Sequence, residues 1–382
     1  MTGRTGVERV RALLATAPVF DGHNDLLWTL RRRARYDFDA LDISVDQSGI
    51  GLHTDLPRLR AGGVGAQFWS VFVPCSLTGD AAVTATLEQI DAAYRMVRRY
   101  PDDLVMVTTA EQVERAVAAG RVASLLGMEG GHSIAGSLGV LRMMYRLGVR
   151  YLTLTHNRNT PWADSATDRP QVGGLSDFGR AVVRECNRLG MLVDLSHVAT
   201  TTMRDALDVS VAPAFFSHSG ARAVCEHPRN VPDDVLRRVR DSAGIVMVTF
   251  VANFLNVRCR DWYDELAEQR GRIAASFADG DPGRAAAIAR LLRDSPRPPC
   301  GVPDVADHIE HVREVAGMDH IGLGGDFDGT IAVPDGLEGV HGYPVLLAEL
   351  SARGWSDDDL TKLTWRNALR VLRATEDIAG SR

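Results

Sequence analysis

Eight short apolar runs, dense in β-branched and aromatic residues, punctuate the chain: Pro18–His23, Ala66–Val73, Val122–Met128, Tyr151–Thr155, Met191–Ser196, Pro213–Ser217, Gly244–Phe250 and His320–Gly325. Between them lie longer segments whose apolar positions recur at three- and four-residue spacing: Thr84–Arg99, Glu111–Ala119, Leu138–Leu147, Ser176–Leu189, Thr200–Asp208, Asp233–Asp241, Val305–Ala316 and Tyr343–Arg353, with Asp357–Arg373 closing the series. The first pattern predicts strands and the second amphipathic helices. Their strict alternation is that of a parallel sheet with helical crossovers, and eight units in one series predict a (β/α)8 TIM barrel occupying 1–382 as one domain. An open doubly wound sheet is the rival, but it normally carries a Gly-rich phosphate turn after its first strand, and Gly22-His23-Asn24-Asp25 is not one. Two connections are long, Trp28 to Gly65 and Val251 to Val302. Both follow strands, on the side where barrels carry loops that do chemistry, so they predict rim or lid elements. The tail after Ala374 predicts a frayed end.

The strand ends carry the chemistry. In Phe20-Asp21-Gly22-His23-Asn24-Asp25, residues two apart on an extended segment share a face, so His23 and Asp25 project together. The later strands end in Glu129-Gly130-Gly131-His132, His156-Asn157, Asp194-Leu195-Ser196-His197, Ser217-His218-Ser219 and Gly325-Asp326-Phe327-Asp328. Any one of these alone reads better as a capped helix start or a satisfied buried polar group. Six together do not, because core packing has no reason to put imidazoles and carboxylates at one end of separate strands. Neutral imidazole and carboxylate suit zinc and similar divalent ions. Three histidines with Asp25 and Glu129 exceed what one tetrahedral ion needs, which favours two ions. A carboxylate such as Glu129 can bridge ions about 3.5–4 Å apart.

Composition narrows the chemistry further. Lys362 is the only lysine of 382 residues and lies in a helical segment. Schiff-base catalysis, a P-loop lysine and a carbamylated bridging lysine are thereby excluded, which leaves the bridge to Glu129. Five scattered cysteines without Cys-x-x-Cys exclude a disulfide framework or a thiolate zinc site and point to a reducing, cytoplasmic compartment. The basic start followed by Ala-Leu-Leu-Ala-Thr-Ala is shorter than a signal peptide's apolar core of about 7–15 residues. No run reaches the roughly 20 apolar residues of a membrane span. A net charge of -6, with no arginine cluster interleaved with aromatics, gives no nucleic-acid surface.

Taken together, Asp21-Gly22-His23-Asn24-Asp25-Leu26, His53-Thr54-Asp55-Leu56-Pro57-Arg58-Leu59-Arg60-Ala61-Gly62, Gln67-Phe68-Trp69-Ser70, Glu129-Gly130-Gly131-His132-Ser133, Asp194-Leu195-Ser196-His197, Ser217-His218-Ser219, Arg229-Asn230, Gly324-Gly325-Asp326-Phe327-Asp328-Gly329 and Trp365-Arg366-Asn367-Ala368 resemble the membrane dipeptidase (renal dipeptidase) family of binuclear zinc peptidases. The resemblance runs almost end to end. It implies two Zn2+ per chain, one held by His23 and Asp25 and the other by His197 and His218, bridged by Glu129 and a hydroxide. It also implies that His156 binds substrate and stabilises the oxyanion, that Asp326 shuttles the proton, and that Arg229 grips the C-terminal carboxylate of a small dipeptide. For Arg229 the residues themselves leave open a loop salt bridge to Asp233 or Asp234.

The implied reaction is hydrolysis of dipeptides with free amino and carboxyl ends, tolerant of a D-residue on the C-terminal side, with some opening of β-lactam rings. A homodimer rests on resemblance alone. The rivals are an amidohydrolase of N-acyl amino acids or lactones and a barrel scaffold without catalysis. His132 is expected to orient the Glu129 loop and Asp194 to support rather than ligate, while Asp328 could touch the substrate amine. His53, His227, His308, His311, His320 and His341 read as structural or solvent-facing. Animal relatives carry a leader and a lipid-anchor tail, and neither is expected here. Cys75 stands at a family cysteine position, but Arg158 stands where its partner is expected, so that disulfide should be missing. Val251–Pro303 departs from the family pattern and is expected to shape the side-chain pocket.

Overall fold

The computed structural model describes residues 6–277, 281–330 and 332–380. Nine parallel strands form the sheet: β1 Val19–Asn24, β2 Val64–Phe72, β3 Leu104–Met106, β4 Val122–Glu129, β5 Val149–Thr153, β6 Leu192–Asp194, β7 Phe215–Ser219, β8 Ile245–Val248 and β9 Ile321–Leu323. The order β2-β1-β9-β8-β7-β6-β5-β4 closes on itself through seven residue pairs, Ala66↔Ala123 to Phe72↔Glu129, giving the eight-stranded (β/α)8 barrel that the apolar runs predict. Each predicted run lies on one of these strands, offset by a few residues. The ninth, β3, pairs only with the first residues of β4. Three residues give no period to read, so the sequence pattern passes over it.

All residues of β1 and β4 are buried, as strands covered on both faces must be. The barrel's lower interior is an aromatic plug. Phe68 of β2 lies 4.9 Å (ring centroids) from Tyr151 of β5 and 6.0 Å from Phe215 of β7, and Phe20 of β1 stacks on Phe68 at 5.7 Å. Contacts between non-adjacent strands can only be made through the lumen. Trp365, 6.0 Å from Phe20 on the π-helical turn Lys362–Arg366, closes the bottom. The plug pushes the polar residues to the opposite, C-terminal mouth.

The helices begin where capping chemistry begins. Thr109, Ser137 and Ser176 each accept a hydrogen bond from the backbone N–H three residues on. One expectation needs correction. The tail after Ala374 is not frayed: the last helix runs Asn367–Gly380, Thr375 is buried, and the Glu376 carboxylate accepts from the Ala110 N–H at 2.9 Å. The long rim segments carry helices of their own: the first takes in most of Leu26–Ala34 and all of Leu56–Gly62, and the second holds Val257–Ser276 and Pro282–Asp294. Among the described residues, no helix is long and apolar enough to cross a membrane.

Candidate metal centre

The barrel brings together every residue singled out at a strand end. His23 is on β1, Glu129 closes β4 and His218 is on β7, while Asp25, His156, His197, Arg229 and Asp326 sit in the loops after β1, β5, β6, β7 and β9. Glu129 is at the middle. Its Oε1 lies 3.0 Å from His197 Nε2, 3.5 Å from His218 Nε2 and 3.9 Å from His156 Nε2, and its Oε2 lies 3.7 Å from His23 Nε2. His23 Nε2 is also 3.2 Å from Asp25 Oδ2 and 3.9 Å from Asp326 Oδ1. The ligand atoms of His23, Glu129 and His218, those of Glu129, His156 and His197, and those of His23, Asp25 and Asp326 each fall within 4.8 Å of one another.

Glycine makes this crowding feasible. Gly130 follows Glu129 at φ 110°, and a Cβ on Gly131 would sit 2.4 Å from the Leu154 carbonyl. A Cβ on Gly329 would strike the carboxylates of Asp25 and Asp326 at 2.2 and 2.3 Å. His197 and Asp326 are themselves held at φ 68° and 56°, a backbone region costly for non-glycine residues.

The orientation of the imidazoles is fixed from behind. His197 Nδ1 lies 3.2 Å from the Asn157 side-chain oxygen, an acceptor, so Nδ1 carries the proton. Ser217 Oγ donates to Asp194 at 2.7 Å and therefore accepts from His218 Nδ1 at 2.8 Å. Both Nε2 lone pairs then point inward, 2.9 Å apart, onto a carboxylate oxygen. Lone pairs facing each other across that distance repel unless a cation lies between them. Asp25 Oδ1, buried and without a hydrogen-bond partner, adds a free donor to the same place. His23 Nδ1 rests on the Tyr151 hydroxyl at 2.8 Å, where the plug meets the site.

Charge tells the same story. Burial raises Glu129 to about 8 and Asp326 to about 7, with the Asp25 charge adding to both. Burial opposes a charge on His23, but the carboxylates of Glu129 and Asp25 overcome it and raise that residue to about 10. Burial drives His197 and His218 well below the usual histidine range, neutral as ligands must be. A ring of acids that draws protons onto itself and onto His23, beside two imidazoles that stay neutral, is a site short of positive charge. Neutral imidazoles with carboxylates suit a divalent ion of the zinc type.

A cavity of about 590 Å3 opens over this cluster. Asp25, Glu129, His156, His197, Arg229 and Asp326 all reach it. Arg229 is 2% exposed, lies 5.3 Å over the Phe254 ring and, among the described residues, its guanidinium hydrogen-bonds only the His218 carbonyl, at 3.4 Å. Its Nε and Nη1 have no partner. The salt bridge left open by the sequence does not form, since Asp233 pairs with His311 and Asp234 with Arg204.

Other expectations are met or narrowed. Asp194 ties Ser217, Ser196 and Thr153 together behind His218. His132 Nε2 reaches the Val73 carbonyl at 2.9 Å, bracing the Glu129 loop. Asp328 borders the cavity, yet its Oδ1 accepts from the His53 N–H and its own N–H donates to His53 Nδ1. His227, expected to be peripheral, forms part of the cavity wall against Phe254. Cys75 has no disulfide partner. Among the described residues of Val251–Pro303, only Val251, Asn253 and Phe254 reach the cavity. Sequence reasoning missed Tyr151, Asn157 and Ser217 as supports: Tyr151 and Asn157 meet their histidines only once the strands are side by side, and Ser217, next to His218 in the chain, is oriented by Asp194 of the neighbouring strand.

Residues 7–382 match the membrane dipeptidase family, peptidase family M19. An uncharacterized dipeptidase of Schizosaccharomyces pombe is 43% identical, over 99% of this chain and 85% of its own. Among solved structures, the metallopeptidase "dipeptidase AC" is 29% identical over 94% of this chain and 99% of its own, with a TM-score of 0.77. A metallopeptidase from Rhodobacter sphaeroides, solved with a phosphinate mimic of the dipeptide L-Ala-D-Ala, is 28% identical with the same coverage and TM-score. The chain therefore belongs to the membrane dipeptidase family, peptidase family M19, and is a metal-dependent dipeptidase.

Proposed function

We propose that the centre holds two zinc-type ions, with His23 and Asp25 on one, His197 and His218 on the other and Glu129 between them. The observation that carries this reading is the pair of inward Nε2 lone pairs 2.9 Å apart on Glu129 Oε1. When bound, such ions lower the pKa of water towards neutrality and polarise a carbonyl. The remaining work falls to the chain. Arg229, a buried cation with two unpaired donor nitrogens, takes the C-terminal carboxylate of the dipeptide, for which a planar guanidinium is well shaped. His156, neutral because burial and the nearby Arg229 lower it to about 3, donates from Nε2 to the oxygen that becomes negative as water attacks. Asp326 accepts the proton lost by the water and returns it to the departing amine as the C–N bond breaks.

The substrate is a dipeptide free at both ends. The neighbour solved with the L-Ala-D-Ala mimic supports acceptance of a D-residue on the C-terminal side. We take the whole chain as one catalytic unit, and its five free cysteines support a cytoplasmic setting. Metal analysis of the purified protein tests the centre: close to two ions per chain is expected, and one or none refutes the bridged arrangement. A screen of L,L- and L,D-dipeptides against N-blocked analogues tests the substrate class. Turnover of the blocked compounds would move the assignment to an N-acyl amino acid hydrolase.

A further inference from the structure

We propose that Cys75 is a positioning residue, its thiol proton held by His156 Nδ1 so that His156 presents Nε2–H to the cavity. This rests on the reading of His156 as the oxyanion donor. Cys75 Sγ lies 3.4 Å from His156 Nδ1, on the side of the ring away from Glu129. The backbone N–H groups of Asn157 and Arg158 lie near enough to favour the thiolate, but burial outweighs them, so the sulfur keeps its S–H to donate. Burial holds Cys75 above the ordinary thiol range, so the proton is there to give. The opposite tautomer would turn a bare Nε2 lone pair towards Glu129 Oε1, 3.9 Å away, and would have no hydrogen to offer a developing oxyanion. Phe72, 4.7 Å from the imidazole, and His197, 4.4 Å from it, confine the ring in its plane but do not choose the tautomer. Among the described residues, only Cys75 touches Nδ1.

The thiol is also reachable. Cys186, Cys225, Cys259 and Cys300 are buried and Cys75 is not, so a small alkylating reagent should find it first.

The test uses the metal-loaded protein and a dipeptide substrate. Cys75→Ala should lower kcat by about tenfold, the lower end of what orienting partners contribute at such centres, with KM changed less than about twofold. Cys75→Ser, which keeps a donor, should recover most of the loss. Iodoacetamide should inhibit the wild type and spare Cys75→Ser. Two-bond 1H–15N spectra of histidine-labelled wild type should show His156 protonated on Nε2, with the resonance identified by its disappearance in His156→Ala. An Nδ1–H tautomer there, or full kcat in Cys75→Ala while His156→Ala has lost its activity, would overturn the inference and leave the role of His156 standing. Full activity in His156→Ala would overturn that role itself.

Discussion

The mouth of the barrel and the rim excursion Val257–Asp294 are built on opposite terms. At the mouth, Glu129, His23 and His218 are almost fully buried, and the imidazoles are held from behind by Tyr151, Asn157 and Ser217. On the rim, Val257–Ser276 buries only Cys259 and Leu266 among its 20 residues, and no described side chain of Pro282–Asp294 is buried. The first region maintains an arrangement that is unfavourable in itself, lone pair against lone pair and acid against acid. The second has nothing unfavourable to maintain. Function is therefore concentrated where the local energy is worst, and substitutions should divide the same way.

Glu129→Gln should give the largest effect. It keeps the shape but removes the charge that faces all four imidazoles, and several kcal/mol of lost charge stabilisation corresponds to a fall in kcat of about 10³-fold or more. Metal analysis should show fewer than two ions, and an undiminished content would undo the bridging role. Asp326→Asn should follow, with metal content retained and kcat reduced by about 10²–10⁴-fold, the range of a lost general acid–base. Retained turnover in that variant would remove Asp326 from the mechanism.

Arg229→Met separates binding from folding. The buried guanidinium has two unpaired nitrogens and burial lowers it to about 10, so replacing it should leave the free protein equally or more stable. KM should nevertheless rise about 10–100-fold, from loss of a charge-assisted bond of about 1.5–3 kcal/mol. A variant destabilised with unchanged KM would mark Arg229 as structural.

Metal removal should turn the mouth against the fold as pH rises. Glu129, Asp326 and His23 have native values near 8, 7 and 10, each above the value of the unfolded chain. Between about pH 6.5 and 9 the native state then holds more protons than the unfolded state, and stability must fall with rising pH. Below about pH 6.5 the depressed His197 and His218 act in the opposite sense, because the unfolded chain gains their protons. Thermal unfolding of chelator-treated protein should show Tm dropping from pH 7 to 9, and restored zinc should flatten that slope. An equal slope with and without metal would mean that these groups are not what the ions neutralise.

The difference between the two regions also decides what could be read from the sequence. The barrel was legible because strands buried on both faces leave unbroken apolar runs. His23, Asp25, Glu129, His197, His218 and Asp326 were legible because they stand where those runs stop. The supports were not. Tyr151 is 128 residues from His23 and Asn157 is 40 from His197, so no local spacing announces either pair. Arg229 was read as a carboxylate grip, but its isolation from Asp233 and Asp234 becomes visible only when His311 and Arg204 are found on those acids. The rim excursion is hard to read for the converse reason. A helix that buries two side chains in 20 leaves little apolar period to read, and its length suggested more influence on the cavity than its first residues have.

The smallest expected effects sharpen that last point. Phe254, on the short helix Ala252–Leu255, lies under the Arg229 guanidinium and borders the cavity. Leu292, on Pro282–Asp294, is 39% exposed and does not. Phe254→Ala removes a cation–π contact worth about 1 kcal/mol, so KM should rise about fivefold, with dipeptides differing in side chain affected unequally. Leu292→Gln trades an exposed apolar side chain for a polar one and should move stability by less than about 0.5 kcal/mol and KM not measurably. If Leu292→Gln altered KM for one dipeptide and not another, the rim would be reaching substrate in a closed state, and specificity would extend past Phe254 along the excursion. If both variants matched the wild type, the side-chain pocket would lie on the opposite wall, with Trp28 and Phe72.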